Sequence, residues 1–104
     1  MSINKAESVT AFDLDRPWCL DRQVAVRPEP FGALLYHFGT RRLSFLKEPL
    51  LLAVVQGLAE HPSARSACEA AGVSASAMPV YERALRTLAN SEMIRVRDER
   101  DIAV

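Results

Sequence analysis

The chain has few of the residues that build the commonest kinds of chemical site. It contains two cysteines and two histidines in 104 residues, with no C-x-x-C and no H-x-x-x-H pair. That spacing gives no support for a zinc site, and an iron–sulfur cluster ordinarily needs more thiolates than two. Its four glycines stand at positions 32, 39, 57 and 72, so there is no glycine-rich loop to cradle a phosphate. Neither sign of charge is in excess, with 13 Lys plus Arg against 13 Asp plus Glu. A nucleic-acid binder draws most of its affinity from phosphate contacts, so this balance counts against that class. Long hydrophobic runs are missing too. The strongest, Leu50 to Val55, is far too short to span a bilayer, and Met1 to Thr10 has no apolar core of a signal peptide. A cytoplasmic protein with free thiols is expected.

What is present is an ordinary globular composition, 49% apolar and 25% charged, at a length suited to one domain with a modest core. The most informative stretch is AVRPEPFGALLYHFGTRRLSFL, Ala25 to Leu46. Phe31 to Phe38 and Arg41 to Leu46 read as the two strands of a hairpin, separated by Gly39-Thr40. Glycine at the first loop position predicts a type II′ turn. Phe38 then faces Arg41, Tyr36 faces Leu43, and Leu34 faces Phe45. This face carries the larger apolar side chains and is expected to be buried. The face with Leu35, His37, Arg42 and Ser44 is expected to meet water or a partner. Hydrogen-bonded and non-bonded pairs alternate along such a hairpin. The two-residue turn therefore predicts that Arg42, Ser44 and Leu46 turn their backbone groups outward. Ser44→Pro should then spare the hairpin, and Leu43→Pro should damage it.

The rest of the chain supplies elements to cover a sheet. Residues 1–17 lack periodicity and read as a flexible arm, with Phe12 and Leu14 docking locally. The folded domain is expected over 18–97, with Trp18 in core or lid packing and 98–104 as a frayed tail. Gln23 to Arg27 alternates as a first strand, ended by Pro28-Glu29-Pro30. Pro49 opens a helix with a buried stripe of Leu50, Leu51, Val54, Val55 and Leu58, and His61-Pro62 ends it. Ser63 caps a second helix over Ala64 to Ala71, which stops at Gly72. Ser74 or Ser76 can cap a third, which runs to about Asn90; Pro79 must lie within its first turn, which argues for a start near Ser76. Its buried stripe is Met78, Tyr81, Leu85 and Leu88. Met93 to Val96 is a candidate short strand. The expected fold class is α+β: a three-stranded antiparallel meander followed by three helices, in a winged-helix-like order.

No catalytic constellation emerges. Glu29, Glu48, Glu60, Glu69, Glu82 and Glu92 are scattered over turns and polar helix faces, where solvation is their ordinary role. His37 and His61 have no nearby carboxylate or thiol at a motif spacing, and Cys68 among alanines reads as a small core residue. The remaining candidate is the outer edge of the last hairpin strand. An open edge must either be blocked or be used to bind an extended peptide as an added strand. Spacing alone leaves both possibilities open, with Arg41 and Arg42 as gatekeepers in the first.

The stretch VRPEPFGALLYHFGTRRLSFL, followed by a leucine-rich helix and a compact helix pair, resembles the mycofactocin biosynthesis chaperones. These belong to the precursor-peptide recognition elements, whose type member acts in pyrroloquinoline quinone biosynthesis. The resemblance covers residues 19–96. It implies a non-catalytic peptide chaperone without cofactor or metal. Such a protein captures the leader of the ribosomally made mycofactocin precursor and delivers it to a radical S-adenosylmethionine maturase. It further implies that the leader lies between the third meander strand and the third helix. On this chain the strand wall is Arg42, Ser44 and Leu46, with Leu43 and Phe45 left out as core. The helix wall is Val80, Tyr81, Arg83, Ala84, Thr87 and Leu88. Arg41, Arg42 and Arg83 would meet acidic leader side chains. The resemblance implies neither nucleic-acid nor membrane partners, and leaves the oligomeric state open. The alternative from another class is a small winged-helix DNA-binding regulator reading DNA with Ser74 to Asn90.

Overall fold

The computed structural model of the protein describes residues 11–97. Five strands and three helices follow in the order β1 (Trp18–Leu20), β2 (Val24–Glu29), β3 (Gly32–His37), β4 (Arg42–Leu46), α1 (Pro49–Gly57), α2 (Ala64–Ala71), α3 (Met78–Asn90) and β5 (Ile94–Val96). A single 3₁₀ turn, Leu58–Glu60, extends α1. The expected α+β class holds, with a β2-β3-β4 antiparallel meander followed by three helices.

The signals of α1 and α2 act where the sequence places them, whereas α3 begins only at Met78, after Ala77, which gives it no side-chain cap. Pro49 lies in the first turn of α1, where a missing N–H costs nothing. The Ser63 hydroxyl accepts the Ser66 N–H at 3.0 Å, and Gly72 closes α2 in the left-handed conformation at φ 103°. Ser74 accepts the Ala77 N–H at 3.2 Å in the turn ahead of α3, and Pro79 falls within the first helical turn.

One element near the start of the chain departs from expectation. β1 was not foreseen. It pairs antiparallel with β5, Trp18 opposite Val96 and Leu20 opposite Ile94, in a separate two-stranded sheet. Three residues are too few to display an alternation, so only the pairing reveals the strand. Phe12 and Leu14, expected to dock locally, are buried in the core. The Phe12 ring lies 4.9 Å from that of Trp18, and the Trp18 indole donates to the Asp13 carbonyl. Residues 1–10 and the tail over 98–104 lie outside the described residues. Cys68 is fully buried in the core, where burial pushes its thiol pKa up.

The hairpin keeps its expected register but turns the other face inward. Tyr36 pairs with Leu43 and Leu34 with Phe45, as read from sequence. Yet Leu35, Ala33 and Leu46 are the buried set, and Leu43 and Phe45 are each 59% exposed. His37, expected at the surface, is buried as well. The reason lies in β2. Val26 pairs with Leu35 and Val24 with His37, whereas Arg27 pairs with Leu34 and Ala25 with Tyr36. Partners share a face, so burying Leu34 and Tyr36 would bury Arg27. The half-buried valines of β2 instead join Leu35 under α1, whose Val54 and Val55 belong to the same core.

The turn differs too. Four residues, Phe38 to Arg41, connect β3 to β4, and the left-handed residue is Arg41 at φ 65°, not Gly39. The Arg41 N–H donates to the His37 carbonyl at 2.8 Å. The buried His37 ring organises this loop. Its Nδ1 accepts the N–H groups of Gly39 and Thr40 at 3.0 and 3.1 Å, while Nε2 faces Asp21 at 3.5 Å. A Cβ at Gly39 would lie 2.5 Å from the Gln23 side-chain oxygen, the mobile end of a flexible group that would have to swing aside. No described helix is long and apolar enough to cross a membrane.

Candidate functional site

The longer turn changes which backbone groups face the open edge of β4. The Phe38 N–H donates to the Gln23 carbonyl at 2.8 Å, so Phe38 directs its backbone toward β2. Successive residues of an antiparallel strand alternate direction, so Tyr36 and Leu34 also face β2. His37, Leu35 and Ala33 then face β4 and bond to their partners Arg42, Ser44 and Leu46. This reverses the expectation: Leu43 and Phe45, not Ser44, present N–H and C=O groups to the edge. No other strand pairs with that edge among the described residues.

Beside the edge runs α3, and between them lies a cleft of about 270 Å³ lined by Ser44, Phe45, Leu46, Leu51, Ala84, Thr87 and Leu88. The helix contributes Ala84, Thr87 and Leu88 because residues three and four apart share a face. A small side chain at Ala84 keeps the gap open, while Leu46 and Leu88 are buried and close its floor.

One end of the cleft is tied across. The Tyr81 hydroxyl, one turn before Ala84, donates a short hydrogen bond to the Glu48 carboxylate. Glu48 is the residue before α1, so this bond joins α3 to the segment that leaves β4. The bond to Glu48, burial and that residue's negative charge push the Tyr81 pKa up to about 12. Gly32 fixes the neighbouring backbone. It adopts φ 152°, and a Cβ there would sit 2.0 Å from the Leu46 carbonyl oxygen. Only glycine lets β3 begin so close to the end of β4.

The residues singled out from sequence are thus not all alike. Ser44, Leu46, Ala84, Thr87 and Leu88 meet in the cleft. Tyr81 is buried and engaged with Glu48, at the cleft's end. Val80 and Arg83 lie exposed on α3, and Arg41 and Arg42 lie exposed at the turn end of β4. None of Arg41, Arg42 and Arg83 forms an ion pair among the described residues. Sequence reasoning missed Phe45 and Leu51. Phe45 is expected in the core from its spacing, but the pairing of Arg27 with Leu34 turns its face outward. Among the described residues no group of three or more His, Cys, Asp and Glu is placed to hold a metal.

A family model described as the peptide chaperone MftB family matches residues 17–95, from just before β1 into β5. The chain belongs to this family. A peptide chaperone MftB of Mycobacterium ulcerans (strain Agy99) is 63% identical over 86% of this chain and 82% of its own length. The namesake from Mycobacterium tuberculosis (strain ATCC 25618 / H37Rv) is 63% identical over 80% of this chain and 76% of its own. That from Mycolicibacterium smegmatis (strain ATCC 700084 / mc(2)155) is 57% identical over 90% and 91%. No solved structure gives a significant match. The MftB-family match covers both walls of the cleft, β4 and α3, in full.

Proposed function

We propose that this chain is a non-catalytic chaperone that binds the leader of the mycofactocin precursor peptide. The leader adds to β4 as a fourth strand and lies against α3. The complex hands the precursor to a radical S-adenosylmethionine maturase. The observation that carries this reading is the open edge of β4 directly beside the α3-lined cleft. Main-chain bonds to Leu43 and Phe45 supply affinity that does not depend on leader sequence. Alternate leader side chains enter the cleft between Ser44, Leu46, Ala84, Thr87 and Leu88, and these supply selectivity. Val80 extends the apolar helix wall, and Tyr81 limits the cleft at one end. Arg41, Arg42 and Arg83 attract acidic leader residues, each contributing about 1 kcal/mol or less while exposed.

The role of such a chaperone is to raise effective concentration. Holding the leader makes the encounter between precursor core and maturase nearly intramolecular. Nothing favours the DNA-binding alternative: Arg86 on α3 is held by Glu82 at 3.1 Å, which leaves that helix weakly basic. The direct test is calorimetric titration with full-length precursor and with precursor lacking its leader. Binding of the first and not the second is expected. Binding of neither, with the maturase also unable to restore it, would remove the peptide-capture reading.

A further inference from the structure

The outer face of the β2-β3-β4 sheet carries a second surface that the leader groove does not account for. Leu34, Tyr36, Leu43 and Phe45 share this face by register. Phe38 stands beside Tyr36, ring centroids 5.1 Å apart and nearly perpendicular, and Phe31 stands beside Phe45 and Lys47. Phe31, Phe38, Leu43 and Phe45 are between 46% and 59% exposed. Aromatic residues gathered in this way, with cations around them, have the composition of a recognition surface and not of incidental exposure.

The charges choose the occupant. On this face Arg27 is neutralised by Glu29 at 2.8 Å. The charges left over at its rim, Arg41 and Lys47, are both positive and form no ion pair among the described residues. A second copy docked face to face would set cations against cations, so the surface is poorly complementary to itself. Its size points the same way. Two strands of six residues and one of five span roughly 14 by 20 Å, or about 280 Å². A stable dimer buries about 800 Å² on each partner. A small basic-rimmed apolar face suits a transient contact with a different protein, one that offers an apolar patch rimmed by carboxylates.

We infer that this face docks the enzyme that processes the captured peptide, and that the bound leader completes the docking face. The inference rests on the leader-binding reading above. Leu43 and Phe45 belong to both surfaces, their backbones forming the open edge and their side chains lying on the outer face. A leader strand added beside them continues the sheet and places its own outward side chains next to theirs. The face widens to about 19 Å with the fourth strand. The processing enzyme thereby distinguishes a loaded chaperone from an empty one. By linkage, the leader raises affinity for the enzyme by the same factor as the enzyme raises affinity for the leader.

The test uses the full chain, leader peptide and the radical S-adenosylmethionine maturase as probe, with variants Phe38→Asp and Lys47→Glu. Both residues lie outside the groove. Leader affinity in both variants should stay within about twofold, while maturase affinity falls about tenfold in Phe38→Asp and about threefold in Lys47→Glu. Lys47→Glu stands in if Phe38→Asp fails to fold by circular dichroism. Leader should tighten maturase binding to the unmodified chain, and equal affinity with and without leader would overturn the completed face. Unchanged maturase affinity in the folded variants would overturn the docking surface itself. So would self-association, or flotation with anionic vesicles, that these substitutions abolish without touching maturase affinity. Failure of the unmodified chain to bind leader would instead strike the leader-binding reading, which keeps the two failures apart.

Discussion

A pair of proline substitutions on adjacent residues of β4 tests the edge geometry most sharply. Leu43 and Phe45 each offer one N–H and one C=O outward, four main-chain bonds for an added strand. At about 1 kcal/mol net apiece, that ladder contributes about 4 kcal/mol to leader binding. Leu43→Pro deletes one N–H, and its ring holds the incoming strand away from a neighbouring acceptor, so one to two bonds are lost. The loss of about 1–2 kcal/mol corresponds to roughly 5- to 30-fold weaker leader binding. The fold should survive, because no intramolecular bond is removed and proline is accepted on an outward-facing edge position. Ser44→Pro does the reverse. The Ser44 N–H faces Leu35 inside the sheet, and its loss together with the ring clash should cost about 3 kcal/mol or more, a large share of a small domain's stability. Circular dichroism melting reads the fold and calorimetry with leader peptide reads binding. A folded Leu43→Pro that binds normally would refute strand addition at this edge. A stable Ser44→Pro beside an unfolded Leu43→Pro would refute the bond phase deduced from Phe38 and Gln23.

Three further outcomes follow from the same geometry. Leu35→Ala should cost about 2–5 kcal/mol in urea unfolding, whereas Leu43→Ala on the open face should cost under about 1 kcal/mol; the opposite order would reinstate the other face as core. In a Tyr36→Phe background Tyr81 is the only remaining tyrosine, and alkaline absorbance titration should show it ionising at about 12, with Glu48→Gln lowering that value. Its pKa is raised in the folded state, so the stability it contributes is complete below about pH 10 and is lost as pH rises toward 12. Gly32→Ala must push the Leu46 carbonyl aside. It should destabilise the domain by more than about 1 kcal/mol and weaken leader binding through the displaced end of β4, read by melting and calorimetry together.

Much of this protein is legible without its fold. Helix α2 runs from Ala64 to Ala71 because Ser63 and Gly72 bracket it chemically, and Pro49 and Pro79 locate the starts of their helices by what proline cannot do. The hairpin register follows from which residues the turn brings opposite, and it survived a wrong turn type because a four-residue loop over Phe38 to Arg41 leaves the same residues paired. The face did not follow. Counting apolar side chains on β3 and β4 favours Tyr36, Leu43 and Phe45 as core, and only the third strand vetoes this by pairing Arg27 with Leu34. The bond phase depends on where the Phe38 N–H goes, a contact with Gln23 fifteen positions earlier that no local pattern announces. Strand β1 is likewise defined only by its pairing with β5, a segment near the other end of the chain. Local propensity and capping act over a few residues and are written in the sequence. Which side of a sheet meets water, and which backbone groups are left to bind, are decided by what packs against that sheet, and only the tertiary structure supplies it.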